Sequence, residues 1–147
     1  MRYAPHDGIP TSAIHIEITE SAYMEDSETL IAVLKGLREA GFKVEMDDFG
    51  SGYSSLNSLK DLDIDKLKLD MKFLSGNDSS GRGKIIISSV INMAKALDLA
   101  VIAEGVETKE QADMLLGFGC NEMQGYYFGR PMPAGEYEKL LKTTVLN

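Results

Sequence analysis

Short runs rich in Ile, Val and Leu recur along the chain with amphipathic segments between them, and no other feature restricts the fold as much. Strands separated by helical crossovers pair in parallel, so this alternation predicts β/α units around a parallel sheet. Five runs read as strands, at residues 14–18, 42–47, 66–69, 99–103 and 122–128. Ser27 reads as the N-cap of the first helix, with Leu30, Val33, Leu34 and Leu37 on one face and Gly41 just past its end. A second helix at 84–97 carries Ile85, Ile86, Ile87, Val90, Ile91, Met93 and Leu97, and so wide an apolar arc predicts that it is largely buried. It follows SGNDSSGRG at 75–83, a flexible surface loop by composition. A third helix opens at Thr108, where TKEQ fits a capping box closed by Gln111, and a short last one is expected at 136–142.

A chain of 147 residues with 44% hydrophobic content can build one domain with a sizeable core. Its formal net charge of -8, with no Lys/Arg cluster to offset the acids, argues against polymeric nucleic acid and against contact with an anionic membrane. An anionic ligand would need help from a cation. Cys120 is the one cysteine, so no intramolecular disulfide is possible, a reducing cytoplasm is the natural setting, and the thiol reads as a small core group rather than a nucleophile. No apolar run approaches 18 residues and the N-terminal stretch lacks the regions of a signal peptide, so this segment reads as soluble; an anchor on a longer parent stays open. The eight methionines read as core filler.

Strands of a parallel sheet covered on both faces should be almost continuously apolar, which makes an acid at a strand's carboxyl end a departure with a cause. There are several: Glu17 and Glu20 in IEITE, Asp47 and Asp48 in MDDFG, Lys68 and Asp70 in KLKLD, Glu104 and Glu107 in AEGVE. That edge is where α/β folds build their sites. If Ile14, Ile16 and Ile18 pack against helices, side-chain alternation turns His15 and Glu17 to the other face, and the same parity lets Asp47, Lys68 and Glu104 converge there. Carboxylates gathered around one lysine in a low-dielectric space each cost several kcal/mol unless compensated. A divalent metal compensates them, and hard carboxylate oxygens without Cys/His pairs favour Mg²⁺ or Mn²⁺ over zinc. The competing reading of DDFG is a turn with an aspartate cap.

These residues resemble the EAL family of cyclic-di-GMP phosphodiesterases through IEITES at 16–21, DDFGSGYSSL at 47–56, LKLDMKF at 67–73, AEGVET at 103–108 and QGYYFGRPMP at 124–133. The family fold is a TIM-type (β/α) barrel of about 250 residues with eight strands. Its naming Glu-Ala-Leu and a following Asn ligand would lie upstream of residue 1, so residues 1–147 resemble the C-terminal part of a single EAL-type barrel domain. About five of eight strands are expected, in a partial α/β barrel that is open or completed by association into a homo-oligomer. The resemblance implies that Glu17, Asp47 and Asp48 bind two metal ions, that Lys68 orients or polarises the attacking water, and that Glu104 is the general base. It implies further that Glu107, Gln124 and Asp70 support substrate, water or metal, and that Glu20 braces the loop at 49–55. The expected partner is a cyclic dinucleotide, and the 147 residues alone are expected to hydrolyse little of it. Glu45 departs from the family, which often has a small residue there, so it is expected either to pair with Lys68 or to be wetted in an open barrel.

Plainer readings stand beside these. Glu104 and Glu107 could favour the N-terminus of the helix at Thr108. Gln124 and Tyr126 could be ordinary strand and turn residues, Lys68 a strand-end surface lysine, and His15 a packed or hydrogen-bonded histidine. Two rival functions are a non-catalytic EAL-like nucleotide-binding or protein-interaction module, and a barrel enzyme that forms an enolate with Mg²⁺ and a lysine base.

Overall fold

Each apolar run is a strand, and helices separate the strands, in the computed structural model, which describes residues 8–49, 55–71 and 81–144. After a short 3₁₀ turn at Thr11–Ala13 come β1 (His15–Thr19), α1 (Glu20–Glu25), α2 (Ser27–Glu39), β2 (Lys43–Asp47) and α3 (Ser55–Asp61). There follow β3 (Lys66–Asp70), α4 (Arg82–Ala96), β4 (Ala100–Glu104), α5 (Lys109–Gly117), β5 (Glu122–Gln124) and α6 (Ala134–Thr144). All pairings are parallel, and among the described residues the five strands form one open sheet in the order β1-β2-β3-β4-β5. Sequential order is what a strand–helix–strand unit produces when each crossover returns to the adjacent position.

Alternation along the strands separates two chemistries. Ile18, Val44, Met46, Leu67, Leu69, Val101 and Ala103 are buried in the core together with Leu34, Ile87, Ile91, Ala94, Ala112 and Leu115 of the helices. The opposite parity carries His15, Glu17, Glu45, Asp47, Lys66, Lys68, Asp70, Glu104, Glu122 and Gln124, all polar, with Ala100 and Ile102 of β4 as apolar exceptions on that face. The carboxyl-end rim of this polar face bears the predicted site.

Several boundaries differ from the sequence expectation for local reasons. The cap of α2 is Asp26, not Ser27: its side chain accepts the Thr29 N–H at 3.1 Å, and Ser27 is the first helical residue. The glycine-rich stretch yields to helix two residues early, at Arg82, while the rest of the expected loop, 75–80, lies outside the described residues. In α4 only the face of Ile87, Ile91 and Ala94 is buried, and Ile85 is 65% exposed, because a helix lying on one sheet buries one face whatever its other faces carry. Strand β5 stops at Gln124. Gly125 follows, where a Cβ would stand 2.1 Å from the Val106 carbonyl oxygen, and Val106 accepts the Tyr127 N–H at 3.0 Å, so residues 125–128 turn instead of continuing the strand. Helix α6 runs longer than expected, and α1 and α3 are additional to the predicted helices. The capping box is present: Thr108 Oγ1 accepts the Gln111 N–H and Gln111 Oε1 accepts the Thr108 N–H. Cys120 is buried, and burial pushes its thiol up, away from nucleophilic use.

Candidate active site

The site is organised by one buried cation. Lys68, in β3, is only 6% exposed. Its Nζ lies 2.7 Å from Glu17 Oε1 of β1, 3.2 Å from Asp47 Oδ1 of β2 and 3.2 Å from Glu104 Oε1 of β4. Four strands therefore deliver four charged groups to one point. Glu17 stands in register with Glu45 rather than with Asp47, yet reaches Lys68, because staggered neighbouring strands bring different register positions to one level.

The charges do not balance. Burial alone would lower the Lys68 ammonium, but the hydrogen bonds it donates to Glu17, Asp47 and Glu104 more than offset this, and the lysine is held above its ordinary value. Glu104 nonetheless has its carboxyl raised: burial pushes it up, and the neighbouring charges of Asp47 and Glu17 outweigh, with burial, the relief that Lys68 gives. The two directions fit together, since one ammonium shared by three carboxylates is well served while each acid is served only in part.

The other predicted residues lie at or just beyond the same strand ends. Asp48 is exposed in a left-handed conformation (φ 54°), and its N–H donates to Asp47 Oδ1 at 3.0 Å; aspartate tolerates this geometry better than most residues. Asp70, half-buried, is in register with Glu104, which in turn is in register with Gln124. Gln124 and Glu107 are exposed, and the Glu107 N–H donates to Gln111 Oε1 at 2.7 Å at the start of α5. Glu20 opens α1, and most of the loop it is expected to brace, residues 50–54, lies outside the described residues.

Neither expectation for Glu45 holds. It is 6% exposed, so it is not wetted, and its partners are His15 and Lys66 rather than Lys68. A second charged layer thus lies beneath the first. His15 Nδ1 is hydrogen-bonded to Glu45 Oε1, Lys66 Nζ stands 3.6 Å from that same oxygen, and Lys66 donates to Glu122 Oε2 at 2.5 Å. The sequence reading missed this layer, although the signal was available: all four residues share the parity of Glu17, Asp47 and Lys68.

Among the described residues no group of three or more His, Cys, Asp or Glu is arranged to hold a metal ion, and the carboxylates are gathered on the lysine instead. The donor chemistry nevertheless fits a hard divalent cation. Three carboxylates against one ammonium leave two negative charges uncompensated, all on oxygen, and Glu104 registers the deficit.

The EAL domain family model matches residues 2–131. The cyclic di-GMP phosphodiesterase NbdA of Pseudomonas aeruginosa is 41% identical over 135 residues, which cover 92% of this chain and 17% of that protein. The solved EAL domain of Mycobacterium smegmatis DcpA superposes with a TM-score of 0.83 at 40% identity, covering 92% of this chain and 61% of that one. A complex of Klebsiella pneumoniae BlrP1 with manganese and cyclic di-GMP superposes with a TM-score of 0.77 at 37% identity, covering 84% and 32% of the two chains. The present chain therefore spans less than two thirds of each of these relatives.

Proposed function

The chain belongs to the EAL domain family, and from that premise we propose that its site serves a metal-dependent phosphodiesterase that opens cyclic di-GMP once, to the linear dinucleotide. The observation that carries this reading is the meeting of Glu17, Asp47 and Glu104, from three strands, on the buried Lys68 ammonium. The manganese and cyclic di-GMP held by BlrP1 support the ligand class.

In this reading Glu17, Asp47 and Asp48 hold two divalent cations, Mg²⁺ or Mn²⁺. Bound there, such ions supply Lewis-acid stabilisation of the phosphodiester charge and lower the pKa of an attacking water. Lys68 stays protonated, so it works as a hydrogen-bond donor that orients the water, and it is ill suited to be the base of an enolate-forming enzyme. Glu104, its carboxyl already raised, accepts the water's proton more readily than an ordinary carboxylate would. Asp70, Glu107 and Gln124 contact substrate or hold these groups in place, and Glu20 braces the loop beyond Asp48. Residues 1–147 form the C-terminal part of one barrel domain, working in the cytoplasm and associating with further copies. Activity belongs to the complete domain; the 147 residues, which contain no Glu-Ala-Leu tripeptide, turn over little alone.

Hydrolysis of cyclic di-GMP by the complete domain, assayed with Mg²⁺ or Mn²⁺, tests the reading, and Glu104→Gln is expected to abolish it. Binding of the dinucleotide without turnover under every metal condition would replace the enzyme with the non-catalytic module.

A further inference from the structure

Beneath the Lys68 cluster lies a carboxylate that the proposed reaction does not use. Glu45 and Lys68 are the buried charged side chains among the described residues. An ionised carboxylate at that depth persists only when paired. Its partners come from both neighbouring strands: His15 of β1 and Lys66 of β3 meet the same oxygen, Oε1. Lys66 is itself held in place by Glu122 of β5.

A second lysine of β3, Lys68, shares this face. Lys66 is the register partner of Glu45, and Lys68 lies two residues further along the same strand on the same face, a rise of about 6.6 Å. A glutamate and a lysine side chain together span that distance. Both are buried, so a direct pair between them would be little weakened by water. Yet the Lys68 ammonium is held by Glu17, Asp47 and Glu104, while Glu45 pairs with His15 and Lys66.

We propose that His15 and Lys66 are positioning residues for Lys68: by holding Glu45 between them they keep this buried carboxylate from capturing the Lys68 ammonium, which is left to the three strand-end acids. The kinetic consequence rests on the hydrolase reading above, and the geometric one does not. Losing either partner leaves Glu45 buried and undercompensated, and the lysine one layer up is drawn down to it. The strand-end carboxylates then lose their common donor.

Lys66→Met removes the ammonium and keeps most of the apolar stem. Its crystal structure is expected to show Lys68 Nζ on Glu45 and away from Glu104, and its kcat for cyclic di-GMP in the complete domain is expected to fall about tenfold with KM little changed, the size of coupling found between contacting groups. Adding Glu45→Ala should return Lys68 to the three acids and recover most of the loss. A residue that merely staples strands gives the opposite pattern, the double variant being no better than the single one. Should Lys66→Met fail to fold, His15→Phe on the more exposed edge strand, alone and with Glu45→Ala, asks the same question. The proposal is overturned if Lys68 stays on Glu17, Asp47 and Glu104 in the single variant, or if Glu45→Ala rescues nothing. A wild-type domain without hydrolysis would overturn the phosphodiesterase reading alone, and the crystallographic comparison would still decide this one.

Discussion

At the scale of single residues the site is under tension, and pH reads it. The Glu104 carboxyl is raised above its ordinary value, first by burial and then by Asp47 and Glu17, against the opposing effect of Lys68. Between the ordinary and the raised value the folded chain therefore holds more protons than the unfolded chain, so folding stability contributed by this group falls as pH rises through that window. Glu104→Gln is expected to flatten this part of the stability–pH curve, measured by urea unfolding from acid to neutral pH, while removing activity. Lys68→Met works in the other direction. It leaves three acids without their common cation and should cost about 2 kcal/mol at neutral pH, the range for hydrogen bonds to a charged group, because the acids themselves are only partly buried. Unfolding midpoints should recover on acidification, as the abandoned carboxylates take up protons. Strand parity made Glu17, Asp47, Lys68 and Glu104 legible from the sequence as one cluster. Parity alone was silent on which carboxylate takes which cation. Glu45 sits on the same face as Lys68 and was expected either to pair with it or to be wetted, and only the stagger between strands assigns it to His15 and Lys66.

At the scale of elements, the rim that carries the acids is held from the opposite end of the strands. Asp65, just before β3, accepts from Arg38 Nη1 of α2 at 2.7 Å, from Lys43 Nζ at 2.8 Å and from the Val44 N–H of β2 at 3.0 Å, so one carboxylate ties a helix to two strands. Burial would raise this carboxyl, but the Lys43 hydrogen bond, the Val44 amide and the Arg38 charge prevail, and it is lowered. A lowered acid stabilises the fold above its unfolded-state value and ceases to do so as pH falls through its folded-state value. Asp65→Asn should therefore cost about 2 kcal/mol at neutral pH, the range for hydrogen bonds to a charged group, and the difference from wild type should vanish in acid. Chemical denaturation across that pH range checks both parts. Elements with strong local signals were legible: the capping box at Thr108 is a two-residue motif with one geometry, and Thr108→Ala should cost about 1 kcal/mol in the same assay. Helices α1 and α3 were not, because six or seven residues are too short for a 3.6-residue period to stand out. Their formation depends on what they pack against, such as the 2.6 Å hydrogen bond from Tyr23 to Asp61 that joins them.

For the molecule as a whole, five parallel strands in sequential order were legible because each apolar run had to find its neighbour through a crossover. The distribution of exposed apolar surface was not, since it depends on where the sheet stops. Beyond β5, Tyr126, Tyr127, Phe128, Tyr137, Leu140 and Leu141 are all at least 37% exposed, and several of them line one groove with Ile102, Met123 and Met132. At the far side β1 has no further strand beside it among the described residues. Unpaired strand edges and contiguous apolar surface both favour association. The net charge of -8 opposes it, because copies that approach repel one another. Salt screens that repulsion over a distance of about 10 Å at 0.1 M and leaves apolar burial intact. Self-association of the 147-residue chain should therefore strengthen as ionic strength rises, with light scattering reporting a mass above the 16.1 kDa of one chain. Tyr137→Lys with Leu141→Lys places two cations in the apolar groove, where burying them on association would be costly, and should return the chain to monomer even in high salt. A wild-type chain that scatters as a monomer at every salt concentration would show that the exposed aromatic edge is too small or too interrupted to bind a second copy.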